Sequence, residues 1–210
     1  MIIAIDGPAA AGKGTLARRL ADHFDLALLD TGLLYRAVGM NLVRAGADPD
    51  DAAKAAEAAR NLKPEDLEAG DLRDDAAADA ASRVSAVPDV RAALLDFQRS
   101  FAAEPPGGTR GAVLDGRDIG TMVCPDAESK LFVTASPEVR AERRYLELRE
   151  RGLDAIHGRV LADMKERDAR DSERTVSPLE PAKDAFLLDT SDLDADQVFA
   201  AALDFINGNN

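Results

Sequence analysis

Gly7-Pro8-Ala9-Ala10-Ala11-Gly12-Lys13-Gly14-Thr15 follows the apolar run Ile2-Ile3-Ala4-Ile5-Asp6 and leads into a helical pattern over residues 15–24. A glycine-rich loop has meaning in this context, with a strand before it and a helix after it. Gly7 and Gly12 permit left-handed turns, so successive backbone N–H groups face inward toward an anion. The start of the helix adds the positive end of its dipole. Lys13 is placed to bridge the β- and γ-phosphates of a bound nucleotide, and the Thr15 hydroxyl to serve Mg²⁺ or its water shell. The loop departs from the plain G-x-x-x-x-G-K-[ST] pattern, because Gly14 intervenes between the lysine and the hydroxyl. A tight strand–helix turn with no ligand would need the glycines but not the lysine.

Outward from the loop, short apolar runs alternate with helical patterns. Strands are expected at residues 2–5, 26–29, 112–114, 130–134 and 185–188. Helices are expected at 15–24, 31–43, 88–101, 137–151, 154–170 and 194–205. The order predicts an α/β fold, a three-layer sandwich on a five-stranded parallel sheet with ligands at the carboxyl ends of the strands. Residues 47–81 are alanine-rich and poor in large apolar side chains. They are expected to form short, weakly packed helices without a core of their own. In helix 88–101, Val90, Leu94, Phe97 and Phe101 make one apolar stripe.

The 210 residues carry a net charge of −13, which argues against nucleic-acid binding. No apolar run approaches the roughly 18–20 residues of a membrane span. One cysteine, Cys124, excludes an internal disulfide, fits a reducing cytoplasmic location and reads as a small core filler. Two histidines and that cysteine do not make a structural zinc site. The charge is uneven: residues 140–174 hold ten of the 26 lysines and arginines. Local arginine on an acidic chain suggests a small anionic ligand, although solvated helices with mixed charges would give the same composition.

Two further stretches sit at strand ends. Leu29-Asp30-Thr31-Gly32-Leu33-Leu34-Tyr35-Arg36 lets a hydroxyl, an aromatic face and a guanidinium converge, and a guanidinium suits a phosphate by donating two parallel hydrogen bonds. Leu114-Asp115-Gly116-Arg117-Asp118-Ile119-Gly120-Thr121 offers Asp115 to orient metal-bound water, with Arg117 and Asp118 just beyond; a structural Arg–Asp pair is the alternative. Arg167, Arg170, Asp171 and Arg174 fall at i, i+3, i+4 and i+7 and share one helix face. Arg140, Arg143 and Arg144 make a second face. The two faces, joined at Gly152, suggest a short helical lid over about 145–166 that would exclude water from a transferring group.

These pieces together resemble the bacterial cytidylate kinases, P-loop nucleoside monophosphate kinases, over nearly the whole chain except 47–81. The specific matches are the G-K-G-T loop, L-D-T-G-x-x-Y-R at 29–36, S-x-V-x-x-x-P-x-V-R at 82–91, G-R-D-x-G-T at 116–121, R-D-x-R-D-x-x-R at 167–174 and P-L-x-P-A-x-D-A at 178–185. The resemblance implies transfer of the γ-phosphoryl of Mg·ATP to CMP or dCMP by direct in-line displacement. It implies that Gly7, Pro8, Ala9, Ala10, Ala11, Gly12, Lys13, Gly14 and Thr15 hold ATP. Thr15, and Asp115 through water, would serve Mg²⁺. Thr31, Tyr35, Arg36, Ser82, Arg91, Arg117 and Asp118 would line the acceptor site, with Asp118, Ser82 and Arg117 reading the cytosine amino edge. Arg167 and Asp171 would contact the sugar and Arg174 the acceptor phosphate. Lys13, Arg140, Arg144, Arg170 and Arg174 are the expected catalytic cations. The expected organisation is a core of 1–36 and 105–210 with an acceptor-binding insertion at 37–104, shortened and mostly helical because 47–81 lacks the apolar strands many relatives insert there. A monomer acting on small molecules is the default. Rival readings are a UMP/CMP, adenylate or other small-metabolite kinase, and a nucleotide-dependent switch; no N-K-x-D segment that would read guanine is present.

Overall fold

The computed structural model describes residues 1–208. Five strands, β1 (Ile2–Asp6), β2 (Ala27–Asp30), β3 (Ala112–Gly116), β4 (Ser129–Thr134) and β5 (Phe186–Asp189), form one sheet in the order β2-β3-β1-β4-β5. Every pairing is parallel. β1 is therefore central, and the loop that follows it emerges at the middle of the sheet's carboxyl edge. The pleat sorts the side chains. Ile3, Ile5, Val113, Leu131 and Val133 pack on one face with Leu16 and Leu20 of α1 (Lys13–Phe24) and Val198 and Ile206 of α8 (Ala195–Gly208). Ala4, Ala112 and Leu114 face the other way, onto Ala102 of α5 (Pro88–Ala103), and Cys124 lies buried in that same cluster. The expected strands fall within about two residues of the observed ones.

Between β2 and β3 runs a helical block: α2 (Thr31–Arg44), α3 (Ala52–Arg60), two short 3₁₀ turns, α4 (Asp75–Val84) and α5. The expectation of weak packing in 47–81 is overturned. Ala55, Ala56, Ala59, Ala77, Ala80 and Ala81 are all buried. Gly39 of α2 lies so near α4 that a Cβ on it would sit 2.7 Å from the Ala80 Cβ. Small side chains let the helix backbones approach, and α2 and α5 supply the bulk through Leu34, Val38, Leu42, Val90 and Leu94. α2 itself runs through the boundary placed after Arg36. The stripe on α5 also needs correction. Val90 and Leu94 are buried as expected and Phe101 packs against the core, but Phe97 is 49% exposed, and Arg91, Gln98 and Ala102 join the buried face in its place.

α6 (Pro137–Glu150) and α7 (His157–Ser172) form an antiparallel pair beyond β4. α7 starts three residues later than the pattern suggested and ends two later, because residues 154–156 remain in the turn after Gly152. Among the described residues, no helix is long and apolar enough to cross a membrane.

Candidate active site

A cleft of about 630 Å³ opens over the carboxyl ends of β1, β2 and β3. Its floor is the loop after β1. Gly7 has φ +145°, and a Cβ there would stand 1.9 Å from the Val133 carbonyl oxygen, so only glycine fits. Gly12, with φ 91°, is the left-handed residue from which α1 starts. Ala9 and Ala10 line the cleft, whereas the Ala11 side chain turns down into the core beside Leu16. Lys13 is 6% exposed; its Nζ donates to the Pro8 carbonyl at 2.8 Å and lies 3.9 Å from Asp115. Burial, helped by the nearby Arg117, lowers the Lys13 pKa to about 8. Burial likewise pushes the Asp115 carboxyl up. Desolvation therefore outweighs the attraction within this pair, as expected of a site shaped to receive another charged group.

The Thr15 hydroxyl is exposed and has no hydrogen-bond partner among the described residues. The Asp115 carboxylate lies 3.4 Å from where a Cβ on Gly14 would stand, so it reaches the same end of the loop. A hydroxyl and a carboxylate are hard oxygen donors of the kind a largely hydrated Mg²⁺ takes, and these residues fit it.

The acceptor side is built from three elements. Asp30 caps α2 through the Gly32 N–H, and the next residue, Thr31, donates its hydroxyl to the Asp115 carbonyl at 2.8 Å. Tyr35 is buried with the Arg91 guanidinium 5.3 Å from its ring centroid, and burial raises its pKa. Arg91 donates to the Asp118 carboxylate within the buried floor, where both are less than 10% exposed. Ser82 Oγ is buried and has no hydrogen-bond partner among the described residues. Arg36 spends one N–H on the Leu72 carbonyl at 2.8 Å.

α7 presents its charged face from above. Asp171 is 3% exposed, with Arg117 at 3.2 Å and Arg167 and Arg174 each at 4.0 Å. Burial alone would raise the Asp171 pKa, but these three guanidinium groups outweigh it and hold the carboxyl low. Arg167 is pushed down to about 10 by burial and by the like charge of Arg117. Among the described residues, the Nε atoms of Arg91, Arg167, Arg170 and Arg174 are buried without a hydrogen-bond partner. So many orphaned donors at one place mark where an anionic ligand is needed.

The lid arginines do not behave as one face. Arg144 turns to the cleft and pairs with Asp75 of α4 and with Glu147 at 2.7 Å. Arg143 instead donates to the Thr190 hydroxyl at 2.9 Å and to its carbonyl at 2.6 Å, away from the cleft. Arg140 is buried and committed: Nε to the Ala135 carbonyl at 2.9 Å, its fork to Asp168 at 3.1 and 2.6 Å, and Nη1 to the Ala9 carbonyl at 3.3 Å. Among the expected catalytic cations, Arg140 is thus a brace between the phosphate loop and α7. Arg170 bonds Asp79 of α4 at 3.0 Å, and Arg174 bonds the Ser85 hydroxyl and the Ser177 carbonyl.

Several contributors carried no signal that sequence reasoning used. Asp168 stands inside the R-D-x-R-D motif yet had no assigned partner. Asp75 and Asp79 had only their i, i+4 spacing, and Ser85 only its place in the S-x-V stretch. Asp6 had none beyond ending the first strand.

Comparison with known proteins follows the same outline. A family model described as cytidylate kinase matches residues 3–208. The chain is 71% identical to the cytidylate kinase of Paramagnetospirillum magneticum over 98% of its own length and 97% of that protein's. It is 62% identical to the cytidylate kinase of Rhodospirillum rubrum, again over 98% of this chain and 97% of that protein. Among solved structures, an uncharacterised protein from Eubacterium ventriosum superposes with a TM-score of 0.57 at 16% identity, covering 99% of this chain and 98% of that one. A likeness at that identity speaks to the fold.

Proposed function

This chain belongs to the cytidylate kinase family, and on that premise we propose how its cleft carries the activity. The protein is an ATP-dependent kinase that moves the γ-phosphoryl group to CMP or dCMP, giving ADP and CDP or dCDP. The observation that carries the assignment of the site is the convergence, in one cleft, of the phosphate loop with a buried Arg91–Asp118 pair and an arginine-ringed Asp171.

In this reading residues 7–15 cradle the donor phosphates, with Lys13 between the β- and γ-groups. Thr15, and Asp115 through water, would hold Mg²⁺, which when bound neutralises charge on the donor phosphates. Thr31, Tyr35, Arg36, Ser82, Arg91, Arg117 and Asp118 form the acceptor site, within an insertion spanning residues 37–104 together with its flanks. The buried Asp118 carboxylate and the unpartnered Ser82 hydroxyl supply hydrogen-bonding groups suited to a cytosine amino edge. Arg167 and Asp171 serve the sugar, and Arg174 the acceptor phosphate.

The acceptor is a phosphate oxygen, already anionic near neutral pH, so the step needs alignment and charge neutralisation more than a base. The oxygen of the monophosphate attacks the γ-phosphorus in line and the bond to the β-phosphate oxygen breaks, leaving ADP. Lys13, Arg144, Arg170 and Arg174 offset the repulsion between two polyanions and the charge spread over the moving group. Arg140 contributes by holding α7 against the loop. The segment around 145–166 excludes water from the closed site.

ADP formation measured with CMP, dCMP, UMP, AMP or no acceptor tests the reading. Turnover that requires CMP or dCMP and falls away with AMP is the expected result. ATP consumption indifferent to every acceptor would replace this reading with a switch or plain ATPase.

A further inference from the structure

Asp6 is an acid that the mechanism above does not use. It is 3% exposed at the end of the central strand, immediately before the phosphate loop. Its neighbours include Asp115 and Asp118, and burial together with these like charges raises its pKa to about 7. A carboxylate kept in such a place is costly, and an apolar side chain of similar size would pack there more cheaply unless both oxygens are required.

Both are engaged. Oδ1 accepts the backbone N–H of Ile119 at 2.7 Å, and Oδ2 accepts that of Gly120 at 2.7 Å. These two amides open the short π-helical turn Ile119–Val123, whose own ladder begins only with Met122 and Val123 donating to the Asp118 carbonyl. Amides at the start of a helical turn have no partner within it, and buried ones must find one elsewhere. A carboxylate offers two acceptors where an asparagine offers one. The same register pairs Asp6 with Gly116 across β1 and β3. One residue therefore ties both sides of Arg117 and Asp118 to the strand that leads to Lys13, with its backbone beside Gly116 and its side chain on the amides of Ile119 and Gly120.

We propose that Asp6 is a positioning residue for acceptor recognition, fixing Asp118 against the phosphate loop through two backbone amides. The inference rests on the acceptor site proposed above. Misplacing a recognition group by about 1 Å costs on the order of 10- to 100-fold, and that loss should fall on one substrate. Asp6→Asn should therefore raise KM for CMP and lower the preference for CMP over UMP in kcat/KM by about tenfold or more, with KM for ATP moved less than about twofold. A merely structural role would weaken both substrates together.

Gly120→Ala is the second variant. Its Cβ would stand 3.4 Å from Asp6 Oδ2 and 3.3 Å from Lys130 Cδ, enough to push the clamp without removing it. It should shift the CMP preference in the same direction by a smaller factor, and it decides the question if Asp6→Asn does not fold. Parallel losses for ATP and CMP, or an unchanged CMP-to-UMP ratio, in the folded variants would overturn the proposal. Wild-type turnover with CMP, measured alongside, separates that outcome from failure of the acceptor assignment itself.

Discussion

The two halves of the cleft are held by different forces. On the sheet side, the phosphate loop and the end of β3 are fixed by buried groups: Lys13 on the Pro8 carbonyl, Thr31 on the Asp115 carbonyl, Asp6 on two amides. On the other side, α6, α7 and the turn between them meet α4 and its N-cap through ion pairs at the surface. Arg144 pairs with Asp75, Arg151 with Asp74 at 2.5 Å, and Arg170 with Asp79 at 3.0 Å. The three acids are about half exposed or more, so each pair is worth at most about 1 kcal/mol. The lesson is one of division. The loop and strand ends are held through buried backbone contacts, while α4 meets the α6–α7 pair through half-exposed carboxylate–guanidinium pairs.

Breaking the rigid half at its charge should have the largest effect. Lys13→Ala removes the cation we assign to the donor phosphates and should lower kcat by about 10²–10³, with the fold retained by circular dichroism. Near-normal turnover would mean the loop is only a turn.

The packing beneath the acceptor side sharpens the contrast next. Gly39→Leu forces a side chain into the space held by Ala80 and should cost about 1–3 kcal/mol of stability in chemical denaturation. No loss would show that α2 and α4 are free to separate.

Asp6 gives the rigid half a pH signature. Its folded pKa of about 7 lies above the unfolded 3.8, so between those values the folded state holds more protons and stability falls as pH rises. Relative to Asp6→Asn, the wild type should lose about 2 kcal/mol between pH 5 and pH 7 and level off above that. Parallel stability curves for the two proteins would remove the buried charge from the account.

The smallest effect belongs to the seam. Asp75→Asn with Asp79→Asn should change stability by about 1 kcal/mol or less, and the difference should shrink further in salt. A larger, salt-independent loss would place the seam with the rigid half.

The same contrast explains what could be read from the chain. The loop at 7–15 was legible as a strand-to-helix turn because its positive-φ positions, Gly7 and Gly12, favour glycine. The strands were legible because the sheet demands apolar runs of fixed length. The alanine helices were not, since their packing depends on a glycine in another helix, Gly39, and alanine at 55, 59 or 80 looks alike whether buried or exposed. Arg140 and Arg143 were read as lid cations because a guanidinium spent on a carbonyl of Ala9, Ala135 or Thr190 leaves no trace in the sequence around it. The ion pairs of Arg144 and Arg170 join residues 69 and 91 positions apart, beyond the reach of any local pattern.

The central claim is that this cleft passes a phosphoryl group directly from ATP to a cytidine monophosphate. A single turnover with γ-³²P-labelled ATP, run with and without CMP and quenched at successive times, tests it most directly. The account predicts label moving from ATP into CDP, with none retained on protein and little released as inorganic phosphate. Label appearing as inorganic phosphate at the same rate whether or not CMP is present would contradict it.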